Sequence, residues 1–85
     1  MMHYTQEDIA ELNILLQFNL DTTMQGIKVH SKAGQEQVEA ARRLYDKGLL
    51  TQVDGGYLTD LGIHAAEHAQ ALVLMLAPHQ QSIAS

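Results

Sequence analysis

The 85-residue chain has no cysteine, so it can hold no disulfide, no thiolate metal site and no thiol nucleophile, a composition compatible with a reducing cytoplasm. It lacks any apolar run of membrane-spanning length: the longest, Ala71 to Ala77, falls far short of the roughly 20 residues a bilayer needs. The start, Met1 to Asp8, has neither the basic region nor the apolar region of a secretory leader. Proline occurs once and no long polar tract interrupts the chain, while 46% of residues are hydrophobic, which is a globular rather than a disordered composition. Basic residues are scarce: five against ten acidic ones, for a net charge of −5. That balance opposes nonspecific affinity for nucleic acid, because phosphate binding depends on lysine and arginine displacing counterions. These absences predict a soluble, cytoplasmic, single domain over residues 1–78, with 79–85 as a frayed tail beyond Pro78.

The few cations are not spread evenly. Lys28, Lys32, Arg42, Arg43 and Lys47 all fall within positions 28–47, where three acids (Glu36, Glu39, Asp46) oppose them, leaving that segment at +2 and the remainder at −7. Such asymmetry suits a protein with one weakly basic face; salt-bridged helix faces are the alternative.

Local signals lay out the elements. Thr5-Gln6-Glu7-Asp8 has the form of a capping box, with Asp for the usual Glu, and leads into Ile9, Leu12, Leu15, Leu16 and Leu20, predicting a helix over Gln6 to Phe18. Ile27 to His30 alternates like a short strand. A second long helix begins at Ser31 or a neighbour and ends at Lys47, with Val38, Ala41, Leu44 and Tyr45 inward. Gly48 supplies the left-handed residue after it. Leu50 to Val53 and Tyr57 to Thr59 form a hairpin through Asp54-Gly55 or Gly55-Gly56, and Thr59 caps a last helix from Asp60 to about Ala77. The expected class is α+β, in the order α-β-α-β-β-α, with a long C-terminal helix. Between Asp21 and Gly34 either a short turn forms or the scaffold lacks a helix.

The string Leu44-Tyr45-Asp46-Lys47-Gly48-Leu49-Leu50-Thr51, followed by Gly55-Gly56-Tyr57-Leu58-Thr59-Asp60-Leu61-Gly62, resembles the recognition-helix end, wing and following helix of bacterial winged-helix DNA-binding proteins. The resemblance covers about positions 34–70. The whole chain is also similar to a small bacterial family of uncharacterised proteins of about this length, sometimes labelled DNA-binding. What the resemblance implies is a small transcription-regulating protein that meets double-stranded DNA through Lys28, Lys32, Gln35, Arg42, Arg43 and Lys47 and the wing. Arg43 and Lys47 are one turn apart and project together, with Arg42 about 100° away, as phosphate contacts would require; Gln35 and Gln37 can pair with base edges. Arg42 can instead pair with Glu39 or Asp46, and Arg43 with Glu39, which leaves a protein-interaction module on the same scaffold as the alternative.

Chemistry is weakly signalled. His64-Ala65-Ala66-Glu67-His68 spells an inverted zinc-peptidase motif, but a catalytic zinc needs a third ligand and a cleft; no metal, cofactor or catalytic residue is expected. Glu7 with Glu11, and Glu36 with Glu39, read as solvated helix faces. The last helix is apolar nearly all round in its second half, and a helix without a polar face must be covered. It predicts a homodimer through Ala65 to Leu76, with Ala65 and Ala69 allowing close approach; a central helix within a monomer is the alternative.

Overall fold

The computed structural model describes residues 3–22 and 25–77; the expected tail and Pro78 lie outside them. The chain is α+β: α1 (Gln6–Leu15), β1 (Ile27–Lys28), a 3-10 turn (Ser31–Ala33), α2 (Gln35–Asp46), β2 (Leu50–Gln52), β3 (Gly55–Leu58) and α3 (Asp60–Leu76). The three strands form one antiparallel sheet in the order β1-β3-β2. Element order and the long final helix follow the expectation from sequence.

The capping box closes α1 as its residues foretell. The Asp8 amide donates to Thr5 Oγ1 and the Thr5 amide donates back to Asp8 Oδ2, both at 3.0 Å. The helix stops three residues earlier than predicted, because the chain tightens at once: the Gln17 amide turns back to the Ile14 carbonyl, and the Asn19 side chain accepts from the Asp21 amide at 2.9 Å. Gln70 of α3 then donates its side-chain amide to the carbonyls of Leu15 and Phe18, at 3.3 and 2.8 Å. Helix carbonyls that would otherwise lack a partner are satisfied from outside.

Between β1 and α2 the path differs from a helix begun at Ser31. Gly34 holds φ 106 and ψ 149, which no helix accommodates, so Ser31–Ala33 is a separate turn and α2 starts at Gln35. No α-helix occurs between Asp21 and Gly34 among the described residues. After α2, Gly48 takes φ 81 as anticipated. The hairpin bend sits at Val53-Asp54, one residue before the first of the two turns predicted and two before the second, since Gln52 already pairs with Gly55. The two glycines fall inside β3 instead. There the register slips by one between Leu50↔Leu58 and Gln52↔Gly55, a bulge in which Gly56 adopts φ 73 and the Tyr57 amide donates to Thr51 Oγ1.

Thr59 fixes the start of α3 twice. Its hydroxyl accepts from the Gly62 amide at 3.0 Å and donates to the Gly48 carbonyl at 2.6 Å, tying the new helix to the end of α2. Gly62 makes this docking close: a Cβ built there overlaps the Leu49 carbonyl oxygen.

The core is aliphatic and small-residue rich. Ile14 and Leu44 are fully buried, flanked by Ala10, Leu15, Phe18, Ala40, Ala41, Leu50, Ala66 and Ala69. Alanines at 40 and 41 let α2 approach α1, and those at 66 and 69 seat α3. Tyr45, predicted inward, is 44% exposed; Ala40 takes the inward place. On α1 the buried stripe runs Ala10, Glu11, Ile14 and Leu15, continued past the helix by Phe18, whereas Ile9 is 42% exposed.

Candidate functional site

The cations nominated by sequence separate into two groups. Arg43 and Lys47, one turn apart on α2, do project together, but toward α1. Arg43 Nε donates to Glu11 Oε2 at 2.7 Å, and Lys47 Nζ donates to Glu11 Oε1 at 2.5 Å. Arg43 also reaches the Glu7 carbonyl with Nη2, at 3.3 Å. Glu11 is therefore no solvated carboxylate: its side chain is 10% exposed and held by two cations. Its bond to Glu11 raises the Arg43 pKa further above its ordinary value, against a smaller opposing effect of desolvation. Asp8 lies on the same side. Its pKa is lowered first by the Thr5 backbone N–H, with the nearby Lys47 and Arg43 charges adding to the effect.

The second group faces solvent. Arg42 pairs loosely with Glu39 at 3.7 Å, the partner anticipated for it, and Lys28 lies 4.0 Å from Asp54, all four side chains being well exposed. Pairs of this kind contribute little. Lys32 in the 3-10 turn and Gln35 at the head of α2 are exposed. Gln35 and Lys47, twelve positions apart on one helix axis, are separated by about 18 Å. The structure thus brings Arg43 and Lys47 together on Glu11 and leaves Lys28, Lys32, Gln35 and Arg42 outside that cluster.

Beside the ion cluster lies an open groove of about 550 Å³ between α1 and the end of α2. Leu12, Leu15, Leu44 and Leu49 make an apolar floor, and Tyr4, Asp8, Glu11 and Lys47 line its rim. The Lys47 side chain, 52% exposed, is the accessible cation of this rim.

A second unusual surface is the end of α3. From Ala71 to Leu76 every residue is exposed; Leu74, Met75 and Leu76 are each at least 70% exposed and Leu72 and Val73 about 40%. Ala66 and Ala69, by contrast, are buried against the chain's own body. Within Ala65 to Leu76, the span expected as an interface, the large exposed apolar side chains lie past Gln70; nearer the helix start Leu61 is exposed as well. No helix among the described residues is long and apolar enough to cross a membrane.

The histidine motif lies on α3. His64 stands 3.8 Å from Glu67 on an exposed helix face, and the described residues contain no group of three potential ligands. What sequence reasoning missed was the role of Glu11, and a signal existed. Glu11 lies three residues before Ile14 and four before Leu15, on the apolar stripe rather than the polar face, so it needed a cation from the facing helix.

Comparison with curated proteins returns no match, and neither does comparison with solved structures. Residues 2–77, nearly the whole chain, match one family of unknown function, DUF5669. The chain therefore belongs to the DUF5669 family, whose function is unknown.

Proposed function

We propose that this chain acts by binding rather than catalysis, as a small cytoplasmic interaction module that self-associates through the end of α3. One observation carries the reading: six consecutive residues, Ala71 to Leu76, are exposed, none carries charge, and five have large apolar side chains. A helix hydrophobic all round is stable in water only when covered, and the largest contiguous apolar patch on a protein surface is often an interaction site. Glu11 engages both Arg43 and Lys47 and offsets one of their two charges, which weakens phosphate binding by the end of α2 and favours this reading. Sedimentation equilibrium across a concentration series tests it. The unmodified chain is expected to shift from monomer to dimer and Leu74→Glu to remain monomeric with an unchanged circular dichroism spectrum. A monomer at every concentration refutes self-association.

A second reading is contact with duplex DNA, in line with the winged-helix resemblance. It is favoured by the exposure of Lys28, Lys32 and Arg42, with loose ion pairs or none among the described residues. Titration of a fluorescent mixed-sequence duplex at low and physiological salt tests it. Affinity that falls with salt and disappears when those three become Ala supports it; absence of binding at low salt ends it.

A further inference from the structure

We propose that the self-association is reciprocal, each copy inserting the Leu72–Leu76 end of α3 into the groove between α1 and α2 of the other copy. The proposal rests on the self-association reading above and specifies what covers the helix end.

The argument begins with area. Burying a leucine-sized side chain removes about 100 Å² of apolar surface from water. The exposures of Leu72, Val73, Leu74, Met75 and Leu76 together amount to about three fully exposed side chains, or about 300 Å² per copy on that scale. If two helix ends only met each other, the contact would bury about 600 Å² in total, half the roughly 1,200 Å² at which specific interfaces begin. If each end instead fills the other copy's groove, helix and groove are both covered. The groove then adds its own exposed surface on each copy, so the total exceeds that of an end-to-end contact and falls in the range of weak, reversible interfaces below about 1,200 Å². The groove is the apolar concavity that matches: about 550 Å³, floored by Leu12, Leu15, Leu44 and Leu49.

Reach and charge agree with the arrangement. The last tie of α3 to its own body is Gln70, hydrogen-bonded to Leu15 and Phe18. The six residues beyond it extend about 9 Å, enough to enter a groove of this size. The last turn of α3 contains no basic side chain, so its terminal carbonyls, carrying about half a negative charge, lack a cation of their own. The groove rim offers one in Lys47, whose ammonium is half-exposed while it holds Glu11. Exchange of one element between two copies also closes the assembly by a twofold axis, so a helix end meeting a different surface does not propagate into a filament.

Because the chain has no cysteine, engineered thiols report geometry without background. Met75→Cys and Leu12→Cys proteins are prepared separately, mixed, treated with a short bismaleimide, and compared with each variant alone. Circular dichroism checks the fold, and exposed Tyr4→Cys at the groove rim replaces Leu12→Cys if the latter unfolds. The expected result is a cross-linked dimer of one Met75→Cys and one groove variant, lost on adding Leu74→Glu to the Met75→Cys chain. A dimer that cross-links only between two Met75→Cys chains overturns the groove seat but leaves self-association standing. A monomer at all concentrations, with no cross-link, overturns both and assigns the helix end to a different occupant.

Discussion

Replacement of Glu11 by glutamine isolates the charge that holds α1 to α2. The side chain keeps its volume, so no cavity forms, but the carboxylate facing Arg43 Nε at 2.7 Å and Lys47 Nζ becomes a neutral amide. A fully buried pair broken on one side costs about 3–5 kcal/mol. Here the cations rehydrate in part, since the Arg43 and Lys47 side chains are 27% and 52% exposed. The Lys47 arm therefore resembles a surface pair, at about 0–1 kcal/mol. The Arg43 arm, a hydrogen bond to a charged group on a nearly buried carboxylate, contributes about 1.5–3 kcal/mol. Together the expected loss is about 2–3 kcal/mol, a fall in melting temperature of about 10–20 °C for a domain of this size. Urea denaturation followed by circular dichroism measures it, and a double-mutant cycle should give stronger coupling between Glu11 and Arg43→Gln than between Glu11 and Lys47→Gln. A loss below about 0.5 kcal/mol, or a Lys47 coupling larger than that of Arg43, would refute the assignment of the clamp to the Arg43 arm.

Two further perturbations probe the joints of the fold. Gly62→Ala drives a Cβ onto the Leu49 carbonyl oxygen; overpacking of this kind costs about 1–3 kcal/mol, against about 1 kcal/mol gained in helix propensity, so net destabilisation in urea is expected and net stabilisation would show that α3 docks less closely. Asp8 has its pKa lowered from 3.8, chiefly by the Thr5 backbone N–H. A carboxylate depressed in the folded state adds stability above its unfolded pKa and loses it as pH falls through the folded value. Asp8→Asn should therefore reduce stability at neutral pH and flatten its decline below about pH 4, as read by urea midpoints across pH; an unchanged acid limb would exclude the carboxylate from the box.

Local signals carried most of the architecture. Thr5 and Asp8, Gly48, and Thr59 each act through partners within a few residues, so their roles follow from sequence spacing alone. Errors arose where the deciding partner was distant. Tyr45 is exposed, and Ala40, Ala41 and Leu44 make the buried stripe of α2 against elements far away in sequence. Glu11 reads as a surface residue from its neighbours alone, because its partners lie 32 and 36 positions away. The hairpin bend moved because the positive φ of Gly56 served a bulge rather than a turn. The groove was not legible, being assembled from two helices and the residue that follows Gly48.

The side chain of Gln70 divides α3 into two thermodynamic regimes. Up to that residue the helix is held by Ala66, Ala69 and the two carbonyls of the α1 end, so its amides open only when the core opens. Beyond it the helix persists on local propensity alone, which Ala71, Leu72, Leu74, Met75 and Leu76 supply and β-branched Val73 weakens. Amide exchange in the isolated monomer should therefore change abruptly past Gln70, with rapid fraying on the far side. Part of the affinity of any partner for this segment is then spent on suppressing that fraying, which makes binding strength adjustable by substitutions that alter helix propensity without touching the partner.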